Sequence, residues 1–420
     1  MTSTIIVVLH NKGEIITMSS SPVSVSERVS ELDILRGFAL LGVFMGMAGE
    51  YIFFGWATTW DQVMSMPTAE IDATYTSFVH LFVTQKANTL FAFMFGLSFT
   101  LMMHRLEAKR SDFERIYLRR LVFLTLFGFI HMFFIQPLEI LHLYGLLGFV
   151  LFALRKMKTR HLLYLGLPLA LFGMMIANLL IGLLDLRELF NSDYYFSDEA
   201  IHLRQTLSEN ADYWGYVQHS AGFTTFDWFL SGAFLSWCVY GLGRFLLGAY
   251  VGRKGWLFEP ARYLKWYRIL LLPTLLVGLG LGAITAHPSF DWQNYGWLGG
   301  LLRTFSVPIT AMGYACLIVV GANTPYIQHL FRQFAPVGQM ALTNYVAAGL
   351  ITSFTFFGYF GGADLAGEIG MRQLVHTVLL SYLGMMIFSR IWLHFFAFGP
   401  LEWIWRCLTY GQLFNIARKK

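Results

Sequence analysis

The chain alternates long apolar runs with short polar connectors. Ten apolar runs cover residues 36–54, 75–103, 121–135, 139–154, 161–184, 228–251, 269–286, 297–320, 336–358 and 372–398. About 20 apolar residues cross a bilayer core as a helix, so each run predicts a membrane span. The third and fourth runs are short, and we expect them to form a tight hairpin about Pro137. The pattern therefore predicts an all-α, polytopic membrane helical bundle of about ten transmembrane helices.

Positive charge is concentrated in alternate connectors. Most Lys and Arg residues lie at 104–120, 155–160, 252–268, 321–335 and 399–420. The connectors between these carry only Arg187 and Arg204. Because cytoplasmic loops of membrane proteins are enriched in Lys and Arg, the first set is predicted to be cytoplasmic. Both termini are then predicted to lie inside.

Composition excludes several classes of protein. Hydrophobic residues make up 56% and charged residues 13% of the chain, whereas soluble domains carry about 25% charged residues. A soluble catalytic domain is therefore not expected. The net charge of +5 fits connectors that face an anionic lipid leaflet, so the expected partner is the lipid bilayer and not a nucleic acid. The three cysteines form no CxxC pair, so we predict no disulfide, no metal centre and no permanently bound cofactor.

The chain is predicted to divide into three parts. Residues 1–31 form a disordered cytoplasmic leader, residues 32–227 an N-terminal transmembrane region, and residues 228–420 a C-terminal transmembrane domain. The outside segment 185–227 is the one connector large enough for structure of its own. Its apolar spacing allows an amphipathic helix that covers a substrate, but we expect a solvated loop.

Four ionisable residues lie inside or beside the predicted spans, near the outer surface: Lys86, His131, Glu139 and His142. A charge near the bilayer centre costs at least about 2.5–3.5 kcal/mol, so such residues are candidates for function. Lys86 would line a cavity and face a carboxylate or an anionic ligand; alternatively, it reaches the interface from a helix that starts later. A histidine beside a carboxylate can act as a general base. Alternatively, these groups only join helices through hydrogen bonds.

A second polar group lies at the cytoplasmic side and comprises Asp33, Arg36, Arg244, Arg390, Glu402 and Arg406. Asp33 and Arg36 are three residues apart, so on a helix they share a face and can pair. Each arginine alone is typical of a helix-end anchor. Together they could bind a polyanion such as a nucleotide phosphate, because guanidinium groups match phosphate oxygens in bidentate geometry.

Several motifs resemble those of one family. They lie at residues 32–37, 91–96, 128–148, 247–253, 338–345 and 398–411. The last is the most specific and reads Phe-Gly-Pro-Leu-Glu-Trp-Ile-Trp-Arg-Cys-Leu-Thr-Tyr-Gly. On these residues the chain is similar to the YeiB-like bacterial membrane proteins over about residues 32–411, and its C-terminal part corresponds to a domain of unknown function. The resemblance implies a multi-pass protein of a bacterial inner membrane.

The N-terminal half also resembles the transmembrane acyltransferase superfamily. That resemblance implies that cytoplasmic acyl-CoA donates its acyl group to an envelope glycan or a small-molecule acceptor on the other face of the membrane. The inner arginines would bind the CoA phosphates, His131 would be the base, Glu139 would orient it, and Lys86 would stabilise developing negative charge. One position departs from the superfamily pattern: Met47 stands where its O-acetyltransferases have a catalytic histidine in the first span. Glu139 stands where YeiB relatives commonly carry Asp.

Two other functions fit the same residues. A transporter or exporter of a small solute would use the intramembrane Lys, His and Glu as binding and proton-relay groups. The spans, however, show no internal repeat of the kind that many transporters have. A structural or accessory membrane protein would use these residues only to hold helices together. The sequence leaves the oligomeric state open.

Overall fold

The computed structural model describes residues 30–53, 56–108, 112–137, 139–287 and 289–418. The predicted leader lies outside these residues, apart from its last two positions. The described part of the chain is helical throughout its regular structure, with no β-strand and one isolated antiparallel bridge between Phe396 and Ala417. The prediction of an all-α polytopic helical bundle is confirmed.

The N-terminal part of the chain forms helices α1 to α11. They are α1 (Ser30–Phe53), α2 (Trp60–Ser65), α3 (Ala69–Phe82), α4 (Lys86–Ala108), α5 (Phe113–Phe134), α6 (Leu141–Ala153), α7 (Thr159–Pro168), α8 (Met174–Leu183), α9 (Leu186–Leu189), α10 (Asp198–Glu209) and α11 (Tyr213–Phe223). A π-helical segment, Leu169–Gly173, joins α7 to α8, and a second one, Thr224–Leu230, follows α11.

The C-terminal part forms helices α12 to α19. They are α12 (Ala233–Lys254), α13 (Pro260–Ala286), α14 (Trp292–Ala322), α15 (Gln328–Arg332), α16 (Ala335–Gln339), α17 (Ala341–Phe356), α18 (Met371–Phe395) and α19 (Pro400–Tyr410). Helices α13 and α14 pack against each other as an antiparallel hairpin that also contacts α3 and α4.

Eight helical stretches of the described chain are long and apolar enough to cross a membrane. They are Ser30–Gly49, Ala69–Glu107, Phe113–Phe134, Thr159–Leu183, Ala233–Lys254, Pro260–Ala286, Gln293–Ala322 and Met371–Phe395. Each of the ten predicted spans contains a helix, but the fourth and the ninth contain the shorter helices α6 and α17. The expectation of a short third span is wrong, because α5 begins at Phe113 and carries charged residues through its first turns.

Helices α4 and α12 form the centre of the bundle. They pack along each other, and α12 also contacts α6, α7 and α8. A Cβ at Gly96 would lie 1.9 Å from the carbonyl oxygen of Phe245, and a Cβ at Gly248 would lie 1.9 Å from that of Phe93. Small residues let membrane helices approach until their backbones touch. These two glycines therefore set the distance between α4 and α12.

The outside segment 185–227 is folded and is not a solvated loop. It contains α9, α10 and α11, and it buries Arg204 and Tyr216 to 1% exposure. The Arg204 guanidinium donates to the carbonyl oxygens of Trp56 and Tyr195, and it lies 4.2 Å from the centroid of the Trp56 ring. The expectation of a solvated loop is wrong because the sequence does not distinguish a buried arginine such as Arg204 from a solvated one. We call segment 185–227 the outer cap.

Both ends of the described chain lie at one end of the bundle. The first turns of α1 and the helix α19 line a common cavity. The Trp405 indole of α19 donates to the carbonyl oxygen of Arg120 in α5 at 2.9 Å, and Arg119 donates to the carbonyl oxygen of Leu408 at 2.7 Å. This placement agrees with the predicted location of both termini on one side of the membrane.

Candidate functional site

A cavity of about 350 Å³ lies between the start of α1 and helix α19. Its walls come from α1, α4, α5, α6, α16, α17 and α19. Most of its lining is apolar and includes Phe91, Met94, Phe95, Phe99, Met102, Leu106, Leu124, Leu141 and Leu342. Sites for organic ligands typically span roughly 300–1,000 Å³, with apolar walls and a few polar groups that fix orientation. We call this space the inner cavity.

Four arginines line the inner cavity: Arg36, Arg105, Arg120 and Arg406. Arg36 donates to Oδ1 of Asp33 and to Oγ of Ser98, each at 2.7 Å. The sequence prediction that Asp33 and Arg36 share a helix face agrees with this pair. The lining contains two carboxylates, Asp33 and Glu402, so the arginines exceed the acids.

Two of these guanidinium groups lie on aromatic rings. Arg120 lies 3.5 Å from the centroid of the Trp405 ring, and Arg406 lies 4.1 Å from that of Phe398. Guanidinium groups stack on aromatic faces and keep their edge N–H donors for other partners. The stacking therefore fixes the planes of both cations at the cavity wall.

Glu402 serves the fold rather than a ligand. Its Oε1 accepts from the backbone N–H of Leu342 at 2.6 Å and of Thr343 at 3.0 Å, and its Oε2 accepts from the Thr343 hydroxyl at 2.5 Å. The carboxylate thus caps the N-terminus of α17, which lacks a cap from its own sequence. Burial raises the pKa of the Glu402 carboxyl above its ordinary value, while the bonds from Thr343 act in the opposite direction.

Two arginines predicted to belong to the inner group lie elsewhere. Arg244 is buried in α12, where it donates to the Thr89 hydroxyl at 3.0 Å and lies over the Tyr240 ring. Arg390 is exposed on α18 and donates to Oε1 of Gln333. Neither residue lines the inner cavity.

Arg105 and Arg120 also line the cavity, although neither is among the predicted site residues. Both lie in segment 104–120, whose charge pattern predicts a cytoplasmic connector. Helices α4 and α5 extend into that segment and bring both side chains to the cavity wall. The available signal was the run of charged residues continuous with the third span.

Tyr345 joins the inner cavity to the outer polar group. It lines the cavity, and its hydroxyl donates to Oε1 of Glu139 at 3.3 Å. The ring centroid of Tyr345 lies 5.5 Å from that of His131. Thus Glu139 and His131 contact Tyr345, whose side chain also forms part of the cavity wall. One aromatic side chain is shared by the inner cavity and the outer group.

Glu139 pairs with His142 and not with His131. Trp228 Nε1 donates to His142 Nε2 at 3.0 Å, and an indole N–H can only donate. The neutral His142 ring must therefore carry its proton on Nδ1, which lies 3.0 Å from Oε2 of Glu139. Both ring nitrogens of His142 are occupied, so the predicted catalytic role of His142 has no free nitrogen to support it.

His131 has the opposite environment. It is 1% exposed, and neither of its ring nitrogens has a hydrogen-bond partner in the described protein. The prediction that Glu139 orients His131 is therefore wrong, because Glu139 is hydrogen-bonded to His142 instead. Both imidazole nitrogens remain available to a bound group.

Lys86 does not face a carboxylate in the described contacts. It is the first residue of α4 and is 4% exposed, and its Nζ donates to the carbonyl oxygen of His80 at 2.6 Å. The helix is interrupted between α3 and α4, where Gln85 adopts a φ of 62°. A cation at the C-terminal end of a helix is favourable, so Lys86 stabilises the end of α3. The predicted role beside His131 and Glu139 gains no support from this position.

The comparisons with known proteins place the chain in a family. The uncharacterized protein YeiB of Escherichia coli (strain K12) is 30% identical over 410 residues, which cover 91% of this chain and 96% of YeiB. The chain belongs to the YeiB-like family. A family model described as "Protein of unknown function (DUF418)" matches residues 251–412.

Two further relatives extend across nearly the whole YeiB-like chain. The uncharacterized protein YxaH of Bacillus subtilis (strain 168) is 28% identical over 96% of this chain and 99% of its own length. An uncharacterized 39.9 kDa protein from the amylase 3′ region of Bacillus acidopullulyticus is 29% identical over 95% of this chain and 99% of its own length. No solved structure matches the chain. These relatives are uncharacterized, and it is the eight long apolar helices of the described chain that indicate an integral membrane protein.

Proposed function

We propose that this YeiB-like protein is an acyl-CoA-dependent transmembrane acyltransferase of a bacterial inner membrane. It would pass an acyl group from cytoplasmic acyl-CoA to an envelope glycan or a small-molecule acceptor on the opposite side. One observation carries the proposal: Tyr345 lines the arginine-lined cavity and contacts both Glu139 and the buried His131. Donor site and candidate base are thus neighbours.

The inner cavity suits the donor in both charge and polarity. Arg105, Arg120 and Arg406 would hold the phosphates of CoA, because guanidinium groups form strong charge-assisted bonds to phosphate oxygens. The apolar walls would hold the pantetheine arm and the acyl chain. The thioester would then lie toward Tyr345. CoA would be a substrate that leaves after each turnover and not a permanent cofactor.

His131 would act as the general base. The acceptor oxygen or nitrogen attacks the thioester carbonyl carbon while His131 takes the acceptor proton. The carbon–sulfur bond then breaks, CoA leaves as a thiolate, and the thiolate takes up the proton that His131 received, which restores the neutral base. Tyr345 lines the cavity and contacts the His131 ring, so its ring would turn aside during transfer. Met47, at the position of the superfamily histidine, is 6% exposed within the apolar core, which leaves the base to be supplied by another helix.

The first test is CoA binding to the detergent-purified protein by titration calorimetry. Losing a hydrogen bond to a charged group costs about 1.5–3 kcal/mol, so Arg406→Ala should weaken binding about 10- to 100-fold. Arg390→Ala is the matched control, since this arginine lies outside the cavity and should leave binding unchanged. Equal effects of both substitutions, or no CoA binding by the wild type at millimolar concentration, would refute the proposed donor site.

The second test is transfer of labelled acetyl from acetyl-CoA to an envelope extract. His131→Gln should abolish transfer while CoA binding stays intact. Full transfer by this variant would exclude His131 as the base. Transfer that also persists in Arg406→Ala would separate the activity from the cavity altogether.

Solute transport is the second candidate, favoured by two helix interruptions in the described chain. Helix α3 ends just before α4 begins, and α16 ends at Met340 just before α17 begins. Transporters often bind solutes at such breaks. Here both breaks are filled by the protein, because Lys86 caps the first and Glu402 caps the second. Solute uptake into proteoliposomes that is lost in Lys86→Met would favour transport over acyl transfer.

A further inference from the structure

A second cavity, of about 590 Å³, lies where α8 and α12 meet the outer cap. Its lining on α8 comprises residues of one helix face: Met174, Asn178, Ile181 and Gly182. Ser236 and Trp237 of α12 form the opposite wall. The α8 lining extends along the helix for about 12 Å. The cavity is therefore a cleft that leads from the outer cap down between two membrane-spanning helices, and we call it the outer cleft.

The deep part of the outer cleft is apolar apart from one amide. Met174, Ile181 and the Trp237 ring supply apolar surface. The Ser236 hydroxyl donates to Oδ1 of Asn178. An amide also carries two N–H donors, and those of Asn178 have no hydrogen-bond partner within the described protein. Asn178 can therefore donate to a carbonyl oxygen of a ligand that lies in the cleft.

Charged side chains of the outer cap surround the mouth of the cleft: Asp185, Arg187, Glu188 and Asp193. Nη1 of Arg187 lies 3.6 Å from Oδ1 of Asp193, and both side chains are more than half exposed. Such a surface pair contributes little, so Arg187 can turn to an anionic group of a ligand. Asp185 and Glu188 form no ion pair within the described protein. The mouth therefore has an excess of negative charge.

A buried carboxyl group adds to this negative charge. Asp227 is 4% exposed, and its Oδ1 has no hydrogen-bond partner among the described residues. Its charge acts on Arg187 and Asp193, so it lies beside the mouth. Burial raises the pKa of the Asp227 carboxyl to about 6, which leaves it ionised at neutral pH. A buried anion without a partner is unfavourable, and a bound cation would compensate for it.

The spacing of these acids favours an organic cation over a metal ion. Among the described residues, no three His, Cys, Asp or Glu side chains come close enough together to hold a metal ion. An ammonium group has three N–H donors and can bond to carboxylates that lie further apart. The mouth therefore suits an ammonium group, with Arg187 beside it for a phosphate.

The polar groups follow the order of a phospholipid. Ammonium and phosphate sites lie at the mouth, a donor for an ester carbonyl lies one level deeper at Asn178, and apolar surface for an acyl chain continues to Met174. We propose that the outer cleft binds a membrane phospholipid whose headgroup carries an ammonium group. The inference is independent of the proposed acyl transfer, because the outer cleft shares no lining residue with the inner cavity.

The position of the cleft favours a lipid over a dissolved amine. On α8, the neighbours of the lining residues are Leu179, Leu180 and Leu183, which are 62%, 53% and 70% exposed. An apolar helix face of this kind contacts the bilayer. A phospholipid can therefore enter the cleft sideways from the membrane, with its headgroup at the level of the outer cap.

Lipid selectivity of the wild-type protein is the first test. The full-length protein is stripped of lipid in detergent and titrated with phosphatidylethanolamine or phosphatidylglycerol of identical acyl chains, and bound lipid is counted by native mass spectrometry. Phosphatidylglycerol lacks the ammonium group and should bind at least about tenfold more weakly, because it loses a charge-assisted hydrogen bond. Equal affinity for the two lipids would overturn the proposal.

Neutralising the mouth should remove this selectivity. Asp185→Asn combined with Glu188→Gln should bring the two lipids to within about twofold of each other, since the ammonium group loses its acceptors. Asparagine tolerates the positive φ of 48° at position 185. The matched control is Glu199→Gln with Glu209→Gln, which removes two exposed glutamates of the outer cap that lie outside the cleft. Selectivity that survives in the first variant, or that is lost equally in the control, would refute the assignment of the mouth.

Two further measurements separate a lipid from a free amine. Asn178→Leu removes the donor to the ester carbonyl, which both lipids share, and should weaken both at least about fivefold while their ratio stays the same. Dodecylammonium carries the cation and a chain but no phosphate or ester, so it should displace phosphatidylethanolamine only at about tenfold or greater excess. Unchanged lipid affinity in Asn178→Leu, or displacement by an equal concentration of dodecylammonium, would overturn the phospholipid as the ligand.

Discussion

Acidification should loosen the outer cap, because His219 must stay neutral to hold Arg204. Arginine can only donate, so the contact of 2.8 Å between Arg204 and His219 Nε2 requires an unprotonated acceptor nitrogen. Burial, and then the charge of Arg204, lower the pKa of His219 from 6.5 to about 4. Protonation would replace the hydrogen bond with two facing cations.

The direction and the size of the change in stability follow from this pKa shift. A histidine with a lowered pKa in the folded state stabilises the fold fully above pH 6.5, and this contribution is lost as the pH falls from 6.5 through about 4. One pKa unit corresponds to about 1.4 kcal/mol, so the whole shift corresponds to about 3.5 kcal/mol. Partial exposure of His219 reduces this figure to about 2 kcal/mol.

Hydrogen exchange of the cap measures the effect. Amides of α10 and α11 should lose protection between pH 6.5 and 4, after correction for the intrinsic rate, while those of α4 and α12 keep it. His219→Gln can still accept from Arg204 and should flatten the pH dependence. Wild-type protection that does not change over this range, or an identical loss in His219→Gln, would refute the reasoning.

Three substitutions test the packing around the site through the free energy of unfolding in mixed detergent micelles. Glu402→Ala leaves the N-terminal donors of α17 without an acceptor and should cost about 2–3 kcal/mol, with a smaller loss for Glu402→Gln. Gly248→Ala forces α12 away from α4 and should cost about 3 kcal/mol. Gly280→Ala should leave the stability unchanged, because a Cβ at Gly280 meets no atom within 4 Å. Trp228→Phe leaves Nε2 of His142 buried and unbonded and should cost about 1–2 kcal/mol. Unchanged stability in any of them would contradict the contact concerned.

The helical bundle could be predicted because a bilayer imposes a length and a polarity on every helix that crosses it. The errors lie where charge occurs inside a helix. Helix α5 starts earlier than expected because Arg119 and Arg120 find partners in α19, which a hydropathy pattern does not reveal. The polar sequence before Lys86 indicates an interruption of the helix. The positive φ of Gln85 could not be predicted, because residues other than glycine rarely adopt it.

The composition of the site was less predictable than the fold. The pair of Glu139 and His142 is local, at a spacing of three residues beside a helix start, and could have been read from the sequence. The pairing of Tyr345 with Glu139, and of Gly349 with His131, joins positions more than 200 residues apart. Such contacts depend on how α17 packs against α5, which periodicity does not specify.

The site also crosses the boundary that divides the predicted parts of the chain. Arg36, Arg105 and His131 belong to the part before residue 228, whereas Tyr345 and Arg406 belong to the part after it. The family model described as a protein of unknown function matches residues 251–412. This range includes one wall of the inner cavity but not the candidate base, His131. Neither part contains both an arginine-lined cavity and a buried histidine. The activity of this YeiB-like protein should consequently be sought in the full-length chain, since the C-terminal part alone would present Tyr345 and Arg406 to an incomplete site.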